Sequence, residues 1–246
     1  MTRLATIAAV LVAVLGTVVA FAPAAWLADA LEKRTVLRLV YAEGTVWRGS
    51  AQVAVSDGRQ AVLLPGRLGW RVEWGALLSG RIVLQLTHTT LDAPIEIGFD
   101  GQMLDLRKGT AQMPAALLVA LGAPFNTARP GGNLRLQWEN LVFRREGFEG
   151  RLQLDWEDAQ SALSLVAPLG SYRVNAVGRG ARAEVQLTTR KGPLQVKGEG
   201  SMENGTIRFT GSAEADPEMR TALNGLIGLL GRRAGDRALL NWESRK

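Results

Sequence analysis

The chain has 246 residues, of which 47% are hydrophobic and 21% charged. That is enough apolar mass for a sizeable core and too much for a disordered chain. Cysteine is absent, which excludes disulfides, thiolate chemistry, cysteine metal sites and cysteine-linked lipid. The net charge is +6, yet its arginines and lysines fall singly along strand-like runs. No nucleic acid is expected as a partner, and a weak attraction to anionic lipid head groups stays open.

The first element is LATIAAVLVAVLGTVVAFAPAAWLA, Leu4 to Ala28, which carries no charge. A helix of about 20 apolar residues crosses a bilayer core. Residues 4–26 are therefore expected as a transmembrane signal anchor, with 1–3 as a cytoplasmic N-terminus and 27–246 beyond the membrane. Pro23 lies where the helix can break cheaply, and Trp26 suits an interface. Ala20–Ala22 and Ala22–Ala24 also fit the cleavage pattern of a signal peptide. The apolar run is long for an h-region of roughly 7–15 residues, which favours the uncleaved anchor. Lys33, Arg34 and Arg38 outnumber Arg3, so a positive-inside count alone would keep the domain in the cytoplasm; long domains translocate despite such charges.

A short helix is expected in LADALEKRT, and β signals dominate after it. Runs of alternating apolar and polar residues are separated by turns at Asp57-Gly58, Asp100-Gly101, Glu146-Gly147, Lys191-Gly192-Pro193 and Asn204-Gly205. Glycine and Asn/Asp supply the positive φ of tight hairpins. The pattern predicts an all-β dominated chain: a twisted, curved antiparallel sheet with one wet face, closed as a trough or a sandwich. GRLGWRVEW, GNLRLQW and GRLQLDW each start on glycine and end on tryptophan, at Trp74, Trp138 and Trp156. Trp47 is one more tryptophan of this kind, which favours a structural role for it.

Two short helices interrupt the strands, near 114–121 and 217–230. The first opens on Pro114, stops at Gly122, and is apolar enough all round to pack on the sheet's face or end. In the second, Asp216 is the expected cap, Pro217 takes the first turn, Glu218 suits the dipole, and Gly231 with Arg232 and Arg233 closes it. Leu223, Leu226, Ile227 and Leu230 form its apolar stripe.

Chemistry is scarce. The one histidine, His88, sits at a strand end in LTHTTL, and no serine lies in a G-x-S-x-G elbow. GRGARA, Gly178 to Ala183, fits G-x-G-x-x-A but leads into a strand, whereas a dinucleotide fingerprint must open a helix. Asn204-Gly205-Thr206 is a formal glycosylation sequon that hairpin geometry alone explains. No acidic loop of the calcium type and no Walker loop occurs. No catalytic, cofactor-binding or metal residue is expected, and the chain does not read as an enzyme.

Several segments in order resemble the type II secretion system protein N (general secretion pathway protein N) family. They are the N-terminal anchor with APAAWLADALEKRT, then AEGTVWRGSA, LPGRLGWRVEW, APLGSYRVNAVGRGA, LTTRKGPLQVKGEGSM, FTGSAEADPEMRTALNGLIGLLGRR and GDRALL. Thr87 to Arg129 departs most from the pattern. The resemblance implies a single-span inner-membrane protein with a periplasmic body. It implies an accessory part in exporting folded proteins through the outer membrane, in contact with the secretin or inner-membrane platform proteins. The family brings no catalytic residues. The candidate contact or essential-turn residues are Gly44, Trp47, Gly49, Leu169, Gly170, Ser171 and Tyr172, and strand addition at a sheet edge is the expected mode. No small-molecule ligand is expected. The alternative is a periplasmic lipid-handling protein that uses a curved apolar groove.

Overall fold

The computed structural model describes residues 2–33, 35–56, 61–203 and 206–245. Its helices are α1 (Thr2–Ala20), α2 (Ala24–Glu32), α3 (Trp74–Leu77), α4 (Phe125–Ala128) and α5 (Arg220–Leu230). Short 3-10 turns cover Ala115–Leu121 and Pro217–Met219. The strands are β1 (Leu37–Gly44), β2 (Arg48–Ser56), β3 (Ala61–Leu63), β4 (Leu68–Val72), β5 (Ile82–Thr87), β6 (Ile95–Phe99), β7 (Leu104–Leu106) and β8 (Gly109–Pro114). They continue as β9 (Gly131–Arg144), β10 (Gly147–Gln160), β11 (Gly170–Gly180), β12 (Arg182–Lys191), β13 (Leu194–Glu203), β14 (Thr206–Ala215), β15 (Arg232–Ala234) and β16 (Arg237–Arg245).

All 16 strands belong to one antiparallel sheet, in the order β1-β2-β4-β5-β6-β7-β9-β10-β11-β12-β13-β14-β16-β15, with β3 on β2 and β8 on β9. It is a single sheet and not a sandwich. Register keeps its two faces distinct, because side chains alternate along each strand. One row across seven strands reads Trp138, Leu152, Ala176, Val185, Gly200, Phe209, Trp242. The row beside it, on the other face, reads Gln137, Gln153, Asn175, Gln186, Glu199, Thr210, Asn241.

The apolar face curls. The 3-10 turn Ala115–Leu121 touches β2, β3 and β9, which are far apart in strand order. Its Ala115, Leu117 and Ala120 are buried. At the far end α5 lies on β14 and β16, and Leu223, Leu226 and Ile227 pack with Leu169, Leu194 and Ala213. Leu230, expected in the same stripe, is 40% exposed.

Several expectations change. The span 4–26 is not one helix: α1 stops at Ala20 and Pro23 becomes the N-cap of α2, so Trp26 lies inside α2. Among the described residues no helix is long and apolar enough to cross a membrane. Pro114 both ends β8 and N-caps the short helix expected near 114–121, which is 3-10 and runs Ala115–Leu121 with Gly122 as its C-cap. Asp216 stands at an N-cap but its side chain makes no capping bond. Gly231 is extended, and Arg232 and Arg233 enter β15 instead of closing the helix. Trp74 opens α3, so the glycine-to-tryptophan pattern ends in a strand only at Trp138 and Trp156. The turns at Asp57-Gly58 and Asn204-Gly205, the sequon and Arg34 lie outside the described residues.

Candidate functional site: two turn clasps and an apolar groove

Gly44, Trp47 and Gly49 build the turn between β1 and β2, and this turn holds the end of α1. Gly44 has φ +88°, and a Cβ there would lie 2.5 Å from the Arg48 carbonyl oxygen. Glycine lets Thr45 N–H close on that carbonyl at 2.9 Å. The next two residues reach outward. Val46 N–H donates to Ala22 O at 2.9 Å, and Trp47 Nε1 donates to Val19 O at 2.7 Å. Those carbonyls lie at and just beyond the C-terminus of α1, where backbone acceptors have no partner within the helix. Trp47 also packs on Trp74, ring centroids 4.3 Å apart. Gly49 makes room for a second indole: a Cβ on it would sit 2.5 Å from Trp70 Cζ2. Trp70 is buried and donates from Nε1 to Thr45 O at 3.1 Å.

The same use of tryptophan recurs. Trp138 Nε1 donates to Arg107 O at 2.6 Å, and Trp156 Nε1 to Gly131 O at 2.9 Å. Each large ring thus covers the apolar face while its one polar atom satisfies a backbone carbonyl distant in sequence.

Leu169, Gly170, Ser171 and Tyr172 form the second clasp, where the ladder between β12 and β13 parts. Its paired register runs from Arg182–Glu203 to Leu187–Gly198. Beyond that, Thr189 Oγ1 donates to Val196 O at 2.8 Å and receives Val196 N–H at 2.6 Å. Leu194 lies further along. Asp216 N–H reaches Pro193 O, which makes Leu194 and Ala215 a non-hydrogen-bonded pair. The N–H and C=O of Leu194 therefore point away from β14. Leu169 O takes the N–H at 3.0 Å, and the Tyr172 hydroxyl donates to the C=O at 3.0 Å. Leu169 N–H in turn donates to Ala159 O at 2.7 Å, and buried Ser171 Oγ accepts Asp158 N–H at 3.1 Å beside a bulge of β10. Gly170 passes close to β12: a Cβ on it would sit 2.7 Å from Lys191 O. Burial raises the Tyr172 phenol far above its ordinary pKa, so it remains a donor.

Leu169 and Tyr172 also line an apolar groove of about 750 Å³. Leu154, Val174, Leu187 and Val196 form its floor, Leu226, Leu229 and Leu230 of α5 one wall, and Pro124, Phe125 and Leu163 the other. Three polar hydrogens at its edge are engaged, those of Tyr172 and Trp156 as above and of Ser161 Oγ with Ala128 O at 2.8 Å, and Thr127 and Gln160 complete its polar lining. The groove therefore offers a ligand carbon surface and little else. The spacing of the strands could announce an apolar floor, but not the separation of α4 from α5 that leaves it open.

On the polar face, Asp155 is buried between cations. Burial pushes its carboxyl up, but bonds from Arg173 at 2.6 and 3.0 Å and from Gln153 at 2.8 Å hold it below the usual range. This is an ion pair with its hydrogen bonds filled. His88 Nδ1 accepts Thr90 N–H at 3.1 Å, and burial lowers its pKa. Its partner is its own turn, and among the described residues no carboxylate or serine is bonded to it. Gly178–Ala183 is a β-hairpin, as the strand after it implies. Among the described residues no cluster of acidic and histidine side chains could hold a metal ion.

No curated protein and no solved structure matches the chain. The family model for the type II secretion system (T2SS), protein N, matches residues 36–240, which run from the start of β1 into β16; the chain belongs to this family.

Proposed function

We propose that the chain is an accessory component of the type II secretion machinery that works by touching other proteins. Its N-terminal segment anchors it in the inner membrane, and the β-sheet stands in the periplasm, where it contacts the secretin or the inner-membrane platform. The observation that carries this is the family match over nearly the whole sheet, residues 36–240, with α1 and α2 lying before the matched region.

The contact itself is assigned to the C-terminal sheet edge. β15 covers β16 only from Arg237 to Leu239, so residues 240–245 have a neighbour in β14 alone. Such an edge presents unpaired N–H and C=O groups to an incoming strand. Trp242 on this segment is 56% exposed and gives the incoming strand an aromatic anchor. The test is a photo-crosslinking residue at Trp242 or Asn241 in cells that export through this machinery, beside deletion of the gene. Adducts with the secretin or a platform protein, and reduced export in the deletion strain, are expected. Unchanged export with no adduct to any secretion component would overturn the proposal.

A further inference from the structure

We propose that the groove between α4 and α5 is a binding site for one acyl tail of a membrane glycerophospholipid. This goes beyond the secretion role and takes up the alternative of a curved apolar groove against the expectation of no small-molecule ligand. Other apolar occupants fit the groove less well.

An extended peptide is the first to fail. The floor strands β10, β11 and β13 are bordered by neighbours on both sides, and the backbone freed where β12 and β13 part is taken up by Leu169, Tyr172 and Thr189. A peptide laid there would bury its own N–H and C=O groups against carbon. A partner helix could seat only a short part of its length inside the groove. One helical turn, roughly 10 Å across and 5.4 Å long, displaces about 420 Å³. The groove, about 750 Å³, would take fewer than two turns. Its volume does fall within the roughly 300–1,000 Å³ of small-molecule sites. A hydrocarbon tail has no polar group to satisfy and can follow a curved floor. Nothing charged lines the groove, so the head group stays outside.

The lip supports a tail that enters from an apolar phase. Leu163, Leu229 and Leu230 are 42%, 69% and 40% exposed, and Leu165 in the same loop as Leu163 is fully exposed. A cluster of bare leucines beside an apolar cavity marks an interaction site more than an ordinary surface.

The test uses the full chain, purified into lipid nanodiscs with phosphatidylethanolamine that carries a diazirine near the end of one acyl chain. Adducts are mapped by mass spectrometry after irradiation. Labelling is expected on the groove floor around Leu154, Val174, Leu187 and Val196. A Leu229→Glu, Leu230→Glu double variant, altered only at exposed positions, should lower that labelling about tenfold with an unchanged melting temperature. Labelling of residues 2–32 reports membrane insertion separately, so loss of the anchor and loss of the groove site read differently. Three results would overturn the site: labels confined to the N-terminal residues, floor labels that the two glutamates leave undiminished, or a photo-crosslinker at Leu187 that captures protein instead of lipid.

Discussion

Tyr172→Phe separates a structural clasp from a partner contact. The hydroxyl supplies the hydrogen bond that the Leu194 carbonyl does not make to β14, because Leu194 faces Ala215 as a non-hydrogen-bonded pair and its carbonyl points toward Tyr172. Tyr172 is 7% exposed, so phenylalanine keeps the ring and its packing while the carbonyl loses its donor. A buried polar group left without a partner costs about 1–3 kcal/mol. For a chain of this size each kcal/mol lowers the melting temperature by roughly 2–4 °C, so a fall of about 2–12 °C is expected. A water admitted from the groove would bring the loss to the low end of that range. Thermal melts of the full chain followed by circular dichroism give the number, and export assayed well below the melting temperature gives the function. Lower stability with normal export is the expected pair of results. An unchanged melting temperature with lost export would refute the clasp and make Tyr172 a contact residue.

Two other perturbations have signs that follow from geometry. Gly49→Ala would put a Cβ 2.5 Å from both Glu43 O and Trp70 Cζ2, an overpacking expected to cost about 1–3 kcal/mol; Gly75→Ala, with no atom within 4 Å, is the neutral control, and urea midpoints compare the two. His88 has a folded-state pKa below its ordinary 6.5, so the folded chain binds fewer protons than the unfolded one just below that value. Its contribution to stability is intact above about 6.5 and falls as the pH drops through that value. His88→Gln should therefore flatten the loss of melting temperature between neutral and mildly acidic pH, and equal slopes in the two proteins would refute the assignment.

What the sequence reveals depends on how local each cause is. The hairpin turns at Asp100-Gly101, Glu146-Gly147 and Lys191-Gly192-Pro193 are legible because the residues that need positive φ stand in the turn itself. The one-sided sheet is legible because the alternation is carried by each strand alone. The segment Thr87–Arg129 is not, and the reason lies in β9. That strand has 14 residues, and its free edge is shared by β7 on Leu141–Phe143 and β8 on Asn133–Trp138. Two short strands are thus defined by a partner that comes later in the chain. Pro114 serves two elements at once: a residue without an N–H suits the last position of β8 and also the start of the 3-10 turn that follows. The seven candidate residues were recognisable as turns with aromatic neighbours. Which backbone group each one holds was not, since Val19, Ala159 and Leu194 are brought to them by the fold.

The groove follows from the same one-sidedness. An apolar sheet face must be covered along its whole width, and this chain supplies its covers unevenly. α2 buries Ala24 with Ala51 and Trp70 at one end, the 3-10 turn Ala115–Leu121 packs farther along, and α5 covers β14 and β16 at the other end. Between α4 and α5 the floor leucines and valines face the open groove of about 750 Å³. Filling that space from within would have needed only larger apolar side chains at the two small groove-lining positions of α4, Thr127 and Ala128. In Thr127→Leu and Ala128→Leu the new side chain should occupy part of the groove. Lost labelling by the acyl probe, with stability held or raised, would tie the open volume to ligand binding and not to poor packing; labelling that persists in both variants would count against it.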